Sequence, residues 1–214
     1  MQRIEVSHKI EMGMKTYPGL PEPQAEVLID YDSGRYGGLS EFYIASLHCC
    51  GNTGTYVDAP IHRYRGGTDL AGLSLDRLAH VPLLVVDALD ILSIGPDLFR
   101  GLKMAGRAVV VRTEWSRHWR TDAYFGENPH LTEEACQALL DGGAVFAGID
   151  SVNIDALPDL RRPAHTTLLA AGVPICEHMT NLSALPKEGG YIHAAPIAWV
   201  GGATFPVRAY VLVD

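Results

Sequence analysis

No apolar run in this sequence reaches the length of a membrane span, and Arg3, Glu5 and Lys9 stand where a secretory signal would have its apolar core. A cytoplasmic location is therefore expected. Cysteine is sparse: Cys49, Cys50, Cys136 and Cys176 form no C-x-x-C pair, which leaves out a zinc knuckle and a dithiol redox centre. Their simplest reading is as small, reduced, apolar side chains. An excess of positive charge is missing too. With 17 Lys and Arg against 25 Asp and Glu, the formal charge is −8, which argues against a nucleic-acid or anionic-membrane partner. Repeats, linkers and low-complexity tracts are absent, so the 214 residues are expected to form one domain, 1–214, with a sizeable core.

What is present reads as strands with a few short helices. Residues 4–10 alternate apolar and polar, as a half-buried opening strand does. Residues 26–30 and 41–48 are further strand candidates, separated by glycine-rich sequence. Residues 82–88 and 108–112 are continuously apolar, which predicts strands buried on both faces. Between them, residues 96–102 suggest a short helix with Pro96 in its first turn. Thr132 caps a helix that carries Glu133 and Glu134 in its first turn and stops at Gly142-Gly143. A strand is expected over residues 144–150, a short helix opening at His165 and ending by Gly172, a strand holding Glu177, and a closing strand over residues 206–213. Composition and periodicity license an α/β or α+β fold with a substantial sheet.

The chemistry concentrates in Asn52–His62, N-T-G-T-Y-V-D-A-P-I-H. Thr53-Gly54-Thr55 marks a turn needing positive φ at the glycine, and Pro60 fixes the exit. Such a turn holds Asp58, a hard oxygen ligand, and His62, a proton carrier near neutral pH, on the rim of a cavity. An aromatic loop, residues 113–129, offers Trp115 and Trp119 as walls for a flat substrate, as anchors of the loop, or as a dimer contact.

The stretch resembles the H-x-G-T-H-x-D-x-P-x-H signature of the cyclase-like metal-dependent hydrolases, the family of bacterial kynurenine formamidase and isatin hydrolase. Gly54, Thr55, Asp58, Pro60 and His62 stand at signature positions, whereas Asn52 and Tyr56 replace its first two histidines. In the family those histidines help bind a metal centre, often of two zinc ions. The resemblance continues through Tyr17-Pro18-Gly19, the R-T-x-W-like Arg112–Trp115, the G-I-D segment Gly148–Asp155 (Asn153 departs from its pattern), and His165 with Glu177 followed by Asn181-Leu182.

The resemblance implies an α/β fold, a single domain with a central barrel-like mixed β-sheet and peripheral helices. It also implies hydrolysis of a C–N or C–O bond in a small amide, formamide, lactone or lactam by a metal-activated water. Carried over residue by residue, Asp58, His165 and Glu177 become the metal ligands and His62, with Asp58 and Tyr56, the catalytic set. Asn52 and Tyr17, with the two tryptophans, become substrate-binding residues. One Zn2+ or Mn2+ at most fits the surviving donors. The alternatives are a metal-free cyclase or dehydratase using Tyr56, Asp58 and His62, and a non-catalytic small-molecule binder. The family also implies a homodimer or higher homo-oligomer.

Overall fold

Strands without polar alternation need cover on both faces, and the two such runs of this chain lie at the middle of its main sheet. The computed structural model describes residues 1–213. In chain order the strands are β1 (Gln2–Glu5), β2 (Gln24–Ile29), β3 (Ile44–His48), β4 (Tyr56–Asp58), β5 (Val81–Asp87), β6 (Ser93–Ile94) and β7 (Ala108–Arg112). They continue with β8 (His130–Leu131), β9 (Phe146–Ile149), β10 (Ile175–Glu177), β11 (Glu188–His193), β12 (Thr204–Pro206) and β13 (Tyr210–Val213). The helices are α1 (Glu133–Asp141) and α2 (Pro163–Ala170). Nine strands form one curled, half-barrel sheet in the order β1-β13-β11-β5-β7-β9-β10-β4-β12. It is mixed: β5, β7, β9 and β10 run parallel as neighbours, and the remaining pairs are antiparallel.

Alternate residues of β5 and β7 feed two cores. Leu84, Val86, Val109 and Val111 pack with Leu139 of α1 and Leu168 of α2. Leu83, Val85, Ala108 and Val110 face the other way, onto Ile192 and Val211. Each fully buried Val or Leu contributes about 1.5–3 kcal/mol, so these strands fix the register of everything hung on them. α1 begins where its cap predicts: the Thr132 hydroxyl accepts from the Ala135 N–H at 3.1 Å.

Several elements differ from the sequence-based expectation. The opening strand stops at Glu5, after which Ser7 makes only a bridge to Met179. The 96–102 segment is a 3-10 turn over Pro96–Phe99. α2 starts at Pro163, two residues before His165, because proline suits the first helical position. The closing segment is two strands. β12 pairs with β4, while β13 lies between β1 and β11. Between them the Val207 N–H donates to Thr55 O and Ala209 O accepts from the Val6 N–H. Change of hydrogen-bonding neighbour, invisible in an unbroken apolar run, divides the strand.

β2 and β3 pair only with each other and leave Val27, Leu28 and Leu47 about half exposed.

Candidate active site

Two glycines allow the chain to enter β4. Gly54 has φ +63°, the left-handed region that favours glycine, and a Cβ on Gly51 would fall 2.1 Å from the Thr204 hydroxyl. The Thr55 hydroxyl then donates to His178 O at 2.5 Å and accepts from the His8 N–H at 2.9 Å, pinning the turn. β4 lies between β10 and β12, with Tyr56 opposite Glu177 and Asp58 opposite Ile175. Strand register therefore brings the Asn52–His62 stretch against Glu177 from over a hundred residues away. α2 brings His165 to the same place.

Asp58, Glu177 and His165 are all buried. Glu177 is fully engaged: Oε2 accepts from the Tyr56 hydroxyl at 2.5 Å and Oε1 from the Ile154 N–H at 2.6 Å. His165 is held by Asp155, whose Oδ2 lies 2.6 Å from Nδ1. That bond fixes the ring and leaves Nε2 facing inward, 3.7 Å from Asp58 Oδ2 and 3.7 Å from Glu177 Oε1. His62, with a side chain 35% exposed, places Nε2 3.9 Å from Asp58 Oδ1. Both oxygens of Asp58 are buried and accept no hydrogen bond. Asp58, His62 and His165 offer ligand atoms that all lie within 4.8 Å of one another.

The electrostatics follow from this crowding. Burial alone would lower the His165 pKa, but the Glu177 carboxylate, helped by Asp155 and Asp58, outweighs it and holds the imidazolium well above its ordinary value. Burial raises the Glu177 carboxyl as well. Burial, with Glu177 and Asp58 nearby, lifts the Tyr56 phenol well above its usual value, so it stays a hydrogen-bond donor. A buried carboxylate without donors is costly, and the atoms around Asp58 suit a divalent cation: carboxylate oxygens and an imidazole nitrogen oriented from behind. The two positions where the signature has histidine are engaged within the chain. Tyr56 is committed to Glu177, and Asn52 Oδ1 accepts from the Thr204 hydroxyl at 3.2 Å.

A cavity of about 370 Å3 opens onto these groups, lined by Tyr17, Asn52, Tyr56, His62, His165 and Glu177. Trp115 and Trp119, expected from the sequence as substrate walls, loop anchors or a dimer contact, are not among the residues that line it. The Trp115 indole N–H donates to Tyr124 O at 3.0 Å, and Trp119 stacks on His8 with ring centroids 3.9 Å apart. Trp115 is thus anchored within its own loop and Trp119 on the N-terminal segment. Cys50 lies apart as well, its thiol 3.4 Å from the Thr53 hydroxyl. The cavity also has Leu20, Arg63, Asn153 and Arg162 in its wall, none of which sequence reasoning placed there. Asp155 was missed as the holder of His165, although it closes the G-I-D segment that drew notice in the sequence.

Residues 4–156 match the family described as "Putative cyclase". A kynurenine formamidase of Salinibacter ruber is 29% identical over 210 residues, covering 98% of this chain and 96% of that protein. The solved structure of isatin hydrolase A from Ralstonia solanacearum superposes with a TM-score of 0.86 at 25% identity, covering 100% of this chain and 92% of the other. A structure described as a potential metal-dependent hydrolase with cyclase activity gives 0.81 at 26% identity, over 98% and 96% of the two chains.

Proposed function

We propose, on the premise that the chain belongs to the cyclase family, that it hydrolyses the amide bond of a small substrate in this cavity with one divalent cation. The observation that carries the reading is Asp58, a wholly buried carboxylate whose two oxygens lack any donor. In an interior position such a charge calls for a cationic partner, and among the described residues only the imidazoles of His165 and His62, at 3.7 and 3.9 Å, approach it, both beyond hydrogen-bonding distance.

Asp58, Glu177 and His165 are the residues that would hold the cation, which would take the place of the Nε2 proton that the surrounding carboxylates otherwise hold on His165. Each oxygen of Glu177 already takes one hydrogen bond, yet a carboxylate oxygen has a second lone pair to give. Two carboxylates and one imidazole suit Zn2+ or Mn2+. Such a cation polarises a carbonyl and makes a water nucleophilic near neutral pH.

The chain's own groups do the rest. Asp155 sets the His165 ring, so Nε2 points inward at no further cost when substrate arrives. Tyr56 and the Ile154 N–H fix Glu177 from two sides. Tyr56, its hydroxyl donating to Glu177 Oε2, acts as a holder of Glu177. Asn52, its Oδ1 taken by Thr204 and its amide beside the Tyr56 phenol, lines the cavity where a substrate carbonyl would lie. His62 stands between Asp58 and solvent, the place from which a proton can be delivered to the departing nitrogen and recovered from water.

His62→Ala is expected to lower formamide turnover by roughly two to four orders of magnitude, with circular dichroism and cation content unchanged. Loss of the cation or of the fold in step with turnover would mean that His62 is a ligand or a structural residue.

A further inference from the structure

The chain between β9 and α2 is neither strand nor helix, yet residues 150–155 are all buried. Backbone groups in such a segment must find partners outside any strand ladder. Much of that task falls to one side chain. Asn128, itself 1% exposed, donates from its amide NH2 to Asn153 O at 2.8 Å and Asp155 O at 3.1 Å. The same group reaches the Ser151 hydroxyl at 3.2 Å and Pro129 O at 3.1 Å, while Oδ1 accepts from the Leu157 N–H at 3.1 Å. Carbonyl oxygens at one end of the amide and an N–H at the other fix its orientation. Two backbone bonds share the load: the Leu131 N–H donates to Ile154 O at 2.9 Å and the His178 N–H to Ser151 O at 3.1 Å.

The segment so held serves two side chains of the site. The Ile154 N–H donates to Glu177 Oε1 at 2.6 Å, and Asp155 Oδ2 lies 2.6 Å from His165 Nδ1. Glu177 ends β10 and His165 lies in α2, so no single element sets one against the other. Asn153 C=O and Ile154 N–H belong to one planar trans peptide, in which they point in opposite directions. A grip on Asn153 O therefore aims the Ile154 N–H. The next carbonyl but one, Asp155 O, is gripped by the same NH2, and the Asp155 N–H is turned onto Asn153 Oδ1 at 2.9 Å.

We infer that Asn128 is a positioning residue of the active site, which aims the Ile154 N–H at Glu177 and the Asp155 carboxylate at His165. Its effect on cation binding rests on the reading that Glu177 and His165 hold a cation; its effect on the segment does not.

The test sets Asn128→Ala and Asn128→Ser beside Asp150→Ala. Asn128 and Asp150 clasp the same two stretches of chain, but Asp150 bonds to Thr113 and Glu114, away from the Ile154 peptide. In cation-free protein the Ile154 amide proton, held by a carboxylate oxygen, is expected downfield and slow to exchange in the NMR spectra of wild type and Asp150→Ala. In the Asn128 variants it should move upfield and exchange about 10-fold faster or more, less so with serine, whose hydroxyl can meet one of the two carbonyls. Zn2+ affinity, read by competition with a chelating dye, should fall about 10- to 100-fold in the Asn128 variants and hold in Asp150→Ala. Should Asn128→Ala not fold, Asn128→Ser carries the same comparison. An Ile154 signal and a Zn2+ affinity that answer to Asn128 no more than to Asp150, at a like fall in melting temperature, overturn the inference and leave the cation reading standing. A wild type that binds no Zn2+, but whose Ile154 amide still answers to Asn128, defeats the cation reading and supports the positioning role.

Discussion

Asp58 and Asp150 are both buried aspartates at the end of a main-sheet strand, and they are treated in opposite ways. Asp150, just after β9, accepts from the Thr113 N–H at 2.8 Å, the Thr113 hydroxyl at 2.6 Å and the Glu114 N–H at 2.8 Å. Asp155 is equally well served, by the N–H groups of Ala164 at 2.6 Å and His165 at 3.2 Å and by His165 Nδ1 at 2.6 Å. Asp58 has no donor for either oxygen. Aspartates that hold a fold together are satisfied by the chain that folds around them. One that is buried and left open is reserved for something the chain does not supply. Counting donors thus separates architecture from chemistry among side chains of identical type and burial.

The largest expected effect comes from removing the reserved charge. Asp58→Asn should lower turnover by about three orders of magnitude or more while the melting temperature of the cation-free protein changes little, since neither Asp58 oxygen accepts a hydrogen bond that the amide would forfeit. A fall in stability together with activity would make Asp58 another architectural aspartate. Next is the positioning residue. Asp155→Asn should weaken cation affinity by about 10- to 100-fold, as loss of a ligand's orienting partner does, read by competition with a chelating dye. Unchanged affinity would mean that His165 needs no orientation or is not a ligand.

The smallest effect belongs to Asp150. Burial raises its pKa from 3.8 to about 6 despite its hydrogen bonds. The folded state therefore keeps a proton that the unfolded chain releases. The stability this lends is fully present below pH 3.8 and is lost as pH rises through about 6. Asp150→Ala should flatten that part of the stability–pH curve, and should cost about 1–3 kcal/mol by stranding the Thr113 and Glu114 donors, with cation binding intact. A curve of unchanged slope would show that another group carries the dependence.

Much of the architecture was legible because it is local or periodic. β7 has the bounds its apolar run predicts, and α1 starts at the Thr132 cap. The Gly54 turn and the strand burial of Glu177 follow the same logic. What stayed hidden depends on partners distant in sequence. The break between β12 and β13 arises because they pair with β4 and β1, which lie towards opposite ends of the sheet. Trp119 carries the composition of a pocket wall but is stacked on His8, over a hundred residues away. Arg63 and Arg162 enter the cavity through their attachment to the residues around α2 and through the left-handed turn at Arg162, which no spacing announces. The openness of Asp58 is a statement about absent donors, and a sequence does not list those.

The central claim is that one half of this site is reserved for a cation while the Asn52–Tyr56 half is closed by Thr204 and Glu177. It is tested most directly by elemental analysis of untagged protein, loaded with Zn2+ or Mn2+ and dialysed, beside Asp58→Asn treated alike. The account predicts one divalent ion per chain in the wild type and none in the variant. Two ions per chain surviving dialysis, or binding indifferent to Asp58→Asn, would contradict it.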